Sequence, residues 1–159
     1  MSVKKKLPLS QISAIPKKVG RDAEKAIAKA IPIMGRVLLD EAKSLTTSAG
    51  IKDTGAYLKG WKVIELGKSL QLVNTTPYAG VIEAGAKFRK MPPLKKIIPW
   101  VRRKMPDTRA IERRKIAFLI ARKIKQRGLP AYNILSKTVE NTSTKLRMIL
   151  QLALRSGLK

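Results

Sequence analysis

Gly60-Trp-Lys-Val-Ile-Glu-Leu66, Gly67-Lys68 and Ser69-Leu-Gln-Leu-Val-Asn74 form the stretch on which the reading of the whole chain turns. Two short runs rich in branched and aliphatic side chains, separated by two turn residues of which one is glycine, have the spacing of a β-hairpin. In the second run Leu70, Leu72 and Asn74 fall on one face and Gln71 and Val73 on the other. A hairpin is marginal by itself, so helices or a neighbouring subunit's strands have to cover it.

Upstream, Thr46 to Asp53 is a polar loop, with Asp53 or Thr54 placed to cap a short turn through Leu58. Before it, Val19, Ala23, Ile27, Ala30, Met34, Val37 and Leu38 keep three-and-four spacing up to Leu45, which predicts one long helix opened by Pro16. Pro32 removes a backbone donor and Gly35 weakens the next turn, so a kink or break is expected there. Residues 1–15 mix Lys, Pro and Ser without periodicity and read as a basic, extended N-terminal arm. The arm starts like a signal peptide, but Pro8, Ser10, Gln11, Ser13 and Pro16 interrupt any apolar stretch.

Downstream, Thr76-Pro77 reads as a helix start, with a hydroxyl at the cap and Pro at the first position, leading through Tyr78 to Ala84 before Gly85. Residues 86–93 form a basic, proline-ended loop. Leu94 to Met105 is a helix broken at Pro99, burying Ile97, Ile98 and Val101. Arg109 to Arg127 is a second helix, stopped by Gly128 and Pro130. Its middle, Ile116-Ala-Phe-Leu-Ile-Ala121, is apolar nearly all round, which predicts packing on two sides with the Arg and Lys side chains snorkelling from both ends. Asn133 to Leu154 is the last helix, and Leu135, Val139, Thr142, Leu146, Ile149 and Ala153 give it a packing face. Leu135, Val139, Leu146 and Ile149 are therefore candidates for packing or subunit contact. The expected fold is α+β and mainly helical: a long N-terminal helix, a small antiparallel β-hairpin sheet and three C-terminal helices. At 159 residues one core is the default, giving a single domain over 16–159 with a basic helical region at 87–127.

Charge is distributed very unevenly. The chain has 35 Lys and Arg against 10 Asp and Glu, net +25. Residues 87–127 hold 16 of the basic residues and 2 of the acidic ones, whereas 30–86 is nearly balanced. Self-repulsion of this size calls for a polyanion, and nucleic acid is the one expected. A solvated surface normally interleaves both signs, and here only Asp107 and Glu112 do so. The candidate nucleic-acid-facing residues are Lys87, Arg89, Lys90, Lys95, Lys96, Arg102, Arg103, Lys104, Arg109, Arg113, Arg114, Lys115, Arg122 and Lys123, with Lys125 and Arg127 continuing the series. Zinc-finger spacing, an aromatic ladder and a polar recognition helix are all missing from the sequence, so contact with the DNA backbone independent of sequence is the expectation.

Cys and His are both absent, and the carboxylates are single apart from Asp40-Glu41. That removes thiolate and imidazole chemistry and leaves no clustered acid–base pair, so the expectation is no enzyme, no metal and no cofactor. The longest apolar run, 116–121, is far short of the roughly 20 residues that span a bilayer, so no membrane partner is expected.

Asn74-Thr-Thr-Pro-Tyr-Ala-Gly-Val-Ile-Glu-Ala-Gly85 is explained by strand, cap, short helix and glycine stop alone. It also resembles the signature of tailed-bacteriophage neck and tail-completion proteins, a family of small head-to-tail joining proteins. Asp53-Thr-Gly-Ala-Tyr-Leu-Lys-Gly-Trp-Lys-Val63 is similar to the family's turn into its first strand. Pro92-Pro-Leu, Trp100-Val-Arg-Arg-Lys104, Ile116 to Ile124 and Arg127-Gly-Leu-Pro-Ala131 look like the helical insertion of one branch. The chain departs from the pattern in its basicity and in a last helix that runs past Leu146. The resemblance implies a non-catalytic virion protein, made in the host cytoplasm and assembled as a ring, sixfold or a multiple of it, between portal or adaptor and tail proteins. It implies structural roles for Asn74, Pro77, Tyr78, Glu83 and Gly85 at the strand-to-helix corner. The rival expectation is a monomeric, sequence-independent nucleic-acid-binding protein of nucleoid or ribosome type.

Overall fold

A computed structural model of the chain describes residues 3–8, 20–51, 53–67 and 69–157. The fold is α+β and mainly helical, and the region read as one domain divides into two compact units. One comprises residues 1–80 and 133–159, the other Val81–Tyr132.

The first unit is organised by two long helices. Helix α1 (Arg21–Ser48) carries Asp22 and Glu24 in its first turn, where carboxylates complement the helix dipole. Its buried stripe includes Ile27, Ile31, Met34, Leu38 and Ala42. Helix α6 (Ile134–Gly157) lays Leu146 and Leu150 on that stripe, with Val139 and Ile149 beside them. Fully burying a Leu or Met side chain stabilises by about 1.5–3 kcal/mol, so this seam is the main apolar core of the unit. Outside the seam, Asn141 Nδ2 donates to Glu41 Oε1 at 2.7 Å.

No break interrupts α1. Pro32 and Ala28, whose carbonyl a residue-32 amide would have met, both lie on the exposed side, where the orphaned oxygen is not cut off from solvent. Gly35 is buried for a different reason: a Cβ there would lie 3.2 Å from Val63 Cγ1, so the glycine admits the sheet. The expected start at Pro16 lies outside the described residues.

Strands β2 (Trp61–Leu66) and β3 (Ser69–Asn74) pair antiparallel from Trp61↔Asn74 to Leu66↔Ser69, with Gly67 at φ +57° in the turn, as the hairpin spacing predicted. A third strand was not expected. Strand β1 (Val3–Pro8) pairs antiparallel with the free edge of β3, from Val3↔Asn74 to Pro8↔Ser69, giving the order β1-β3-β2. The hairpin leaves one row of β3 amides and carbonyls unpaired, and part of the N-terminal arm meets it. The rest of the arm lies outside the described residues. Leu70 and Leu72 are buried on one face of β3 and Val73 on the other.

Between these elements, the short helix α2 (Ala56–Lys59) precedes β2, and α3 (Ala79–Ala84) carries the chain into the second unit. That unit is a helix pair, α4 (Leu94–Lys104) and α5 (Ala110–Arg127). Pro99 stands inside α4 on its exposed side, and again the helix does not break. Ile97, Val101, Ala117 and Ala121 form the core, flanked by Ile98, Ile116, Ile120 and Ile124.

Helix α5 packs on one side, contrary to the expectation of two. Ala117 and Ala121 face α4, while Ile111, Phe118 and Leu119 are 71%, 45% and 60% exposed. Two alanines one turn apart let the helices approach closely, and the bulky side chains lie outside that contact.

The base of the second unit is stitched by backbone bonds. Ala86 N–H donates to Leu129 O at 3.1 Å, Leu129 N–H to Ala86 O at 2.7 Å, and Tyr132 N–H to Ile82 O at 3.0 Å. Gly128, at φ +75°, is required there, because a Cβ would lie 2.4 Å from Ala86 O.

Candidate functional site

The strand-to-helix corner is built on Asn74, which is wholly buried at the end of β3. Its Nδ2 donates to Tyr57 O at 2.9 Å, and its Oδ1 accepts from Thr76 N–H at 3.1 Å and Thr76 Oγ1 at 2.8 Å. The amide thus ties β3 to α2 and to the chain beyond. A buried amide needs partners of this kind, since burying it unpaired is costly.

Thr76 does not cap α3 with its hydroxyl, as the sequence suggests; Oγ1 is turned to donate to Asn74 Oδ1 instead. The first turn is held instead by Ala79 N–H donating to Thr76 backbone O at 3.1 Å. Ahead of α2 the N-cap is Gly55, without a side-chain cap, rather than Asp53 or Thr54; Ala56 N–H donates to Thr54 Oγ1 at 3.4 Å from one residue further out.

Around the corner the aromatic rings stack. Tyr57 meets Trp61 edge-on at 5.5 Å and Tyr78 in a stack at 6.3 Å. Pro77 and Tyr78 are exposed, so Tyr78 covers Tyr57 from the solvent side. Trp61 Nε1 donates to Thr46 Oγ1 at 2.8 Å, and that hydroxyl donates to Ala42 O at 2.7 Å. The sequence pattern places Thr46 at the start of a loop, whereas in the structure it lies within α1. The signal for its role was its place one turn after Ala42 and two after Leu38, on the buried stripe of α1. In the second unit, Glu83 is buried and Gly85 takes φ +69° at the end of α3, where a Cβ would lie 2.6 Å from Leu129 O. Asn74 and Gly85 thus hold backbone at the corner, the one by its amide bonds and the other by its close approach to Leu129.

The basic block lies entirely in the second unit, which has 16 Lys and Arg against Glu83, Asp107 and Glu112. Lys87, Arg89 and Lys90 are exposed on the segment before α4. On α4 the apolar face is taken by Ile97 and Val101, so Lys95, Lys96, Arg102, Arg103 and Lys104 occupy the exposed positions. On α5, Arg114, Lys115, Arg122 and Lys123 are exposed, as is Arg109 at its N-terminal boundary.

Arg113 differs from the other candidates. It is half-buried, and its guanidinium donates to Thr108 Oγ1 at 3.3 Å and Pro106 O at 3.0 Å, holding the α4–α5 turn. Glu112 is also in local use: its Oε2 accepts Arg109 N–H at 3.2 Å, satisfying an amide at the start of α5. The other candidates are exposed along the segment before α4 and on both helices.

The four packing candidates on α6 face inward. Leu135 and Leu146 are buried, and Val139 and Ile149 pack partly buried against the α1 core. Their apolar surface is taken up within the chain, which removes them as the main surface for a neighbour. Met148 and Leu152, on the outer side of α6, are exposed instead.

Among the described residues no group of three or more His, Cys, Asp or Glu is placed to hold a metal ion, and no helix is long and apolar enough to cross a membrane. No family model, curated protein or solved structure matches the chain.

Proposed function

We propose that this chain is a structural virion protein of the phage neck or tail-completion type, forming a homo-oligomeric ring around the DNA path at the head-to-tail interface. The observation that carries the reading is the segregation of charge. A compact helical unit of 52 residues carries 16 Lys and Arg against three carboxylates, on α4, α5 and the segment before them, whereas the other unit spreads 19 against seven over 107 residues. A surface lining a DNA path needs this kind of field without base recognition. The resemblance of Asn74 to Gly85 to the neck family supplies the assembly context, and the mechanism is assembly rather than catalysis. Its partners are other copies of itself, the neighbouring portal or adaptor and tail proteins, and the DNA backbone.

The exposed cations equally favour a second reading, a monomeric sequence-independent nucleic-acid-binding protein. Size-exclusion chromatography with light scattering, with and without duplex DNA at about 50 and about 200 mM salt, separates the two. The expected result is a discrete oligomer of ring size with weak, salt-sensitive affinity for free DNA. A strictly monomeric, tight DNA binder overturns the neck reading.

A further inference from the structure

We propose that a cleft in the basic unit, floored by Trp100, is an anchor site for an acidic segment of a partner protein that inserts one large apolar side chain. The cleft, about 460 Å³, is bounded by Trp100, Ile120, Ile124 and Leu129. A lobe of about 420 Å³ shares the same four residues and reaches Ile97. Trp100 and Leu129 are each 37% exposed, so both side chains are open to a ligand.

The wall is rigidly built. Both backbone polar groups of Leu129 are bonded to Ala86, and Gly128 N–H donates to Ile124 O at 2.8 Å, so this part of the wall presents side chains rather than free amides.

Two features select the occupant. The rim is cationic, with Lys96, Lys123 and Arg127, and no carboxylate lines either lobe. Charge complementarity therefore calls for an acidic ligand. The floor has no Ser, Thr, Asn or Gln side chain. A nucleobase buried there would leave its polar edges unpaired, whereas a Phe or Leu side chain loses nothing. An apolar anchor in a pocket with charged contacts around it is the usual form of a protein–protein hot spot. A second copy is a poor source, since the chain is net +25 and its carboxylates are single apart from Asp40-Glu41. The inference requires only the basic unit and does not depend on ring formation.

Tryptophan emission gives the test. Trp61 is buried and hydrogen-bonded, so a surface ligand reports through Trp100. The full chain is titrated with two Trp-free, Glu-rich peptides of about 12 residues, identical except for a central Phe in one and Ser in the other. The expected result is a saturable blue shift with the Phe peptide and affinity at least about tenfold weaker with the Ser peptide. With the peptides labelled and read by anisotropy, Leu129→Ser should remove the advantage of Phe and Lys123→Glu should weaken both, while circular dichroism shows the helices retained. Equal binding of the two peptides overturns the proposal in favour of rim electrostatics. A Trp100 response to oligo(dT) at lower concentration than to the Phe peptide makes this a nucleic-acid site. No response to any probe also overturns it. Duplex DNA binding measured in the same variants reads the charge of the block separately, so the failure of one reading is not the failure of the other.

Discussion

The α1–α6 seam and the α4–α5 pair are written in the same three-and-four spacing of apolar residues, but they close around side chains of different size. In the seam, Met34, Leu38, Leu146 and Leu150 are all but inaccessible to solvent. In the pair, the side chains excluded from solvent are Val101, Ala117 and Ala121, while Trp100, Ile111, Phe118 and Leu119 face outward. Large residues in a seam yield stability, because burial scales with apolar area. Small residues in a contact bring the backbones together and leave the large ones available to something else. The same helical code therefore produces a scaffold in one unit and a presenting surface in the other.

The largest effect that would break this contrast lies in the seam. Met34→Ala and Leu146→Ala should each destabilise by about 2–5 kcal/mol in urea unfolding followed by Trp61, which belongs to the same unit. A loss below about 1 kcal/mol would mean that the seam is not the scaffold. Asn74→Ala should cost about 1–3 kcal/mol by the same measurement, since Tyr57 O and the Thr76 groups lose their buried partner.

The close contact of the pair is tested by adding volume rather than removing it. Ala117→Leu should destabilise the second unit by about 1–3 kcal/mol, read through Trp100 in a Trp61→Phe background. A neutral outcome would show that α4 and α5 have room between them. The smallest effect is expected on the outer face: Phe118→Ser and Leu119→Ser should change unfolding free energy by no more than about 0.5 kcal/mol. A larger loss would mean that this face is covered within the chain.

The hairpin and the long helices were legible because period two and period 3.6 are properties of the local sequence, and Gly67 takes the positive φ that the turn needs. Strand β1 was not, since Val-Lys-Lys-Lys-Leu-Pro has no alternation and is held by pairing to β3, which is a long-range fact. The packing of α5 was misjudged because spacing counts apolar positions without weighing alanine against phenylalanine. Thr76 had a cap's sequence context, but Asn74 lay close enough to take its hydroxyl. The basic block was plain in composition. Its inner distinctions were not: the anchoring of Arg113 in the α4–α5 turn and the apolar cleft beside Lys123 exist only once α4, α5 and the turn at Gly128 are brought together.

The backbone stitch at the base of the second unit has a topological consequence. Because Ile82 bonds Tyr132 and Ala86 bonds Leu129, the chain leaves this unit beside the point at which it arrives. The segment between is a cassette. Its length, its charge and the shape of its cleft can be exchanged without changing the gap that the host sequence has to bridge, so this unit is free to diversify while the scaffold is held fixed.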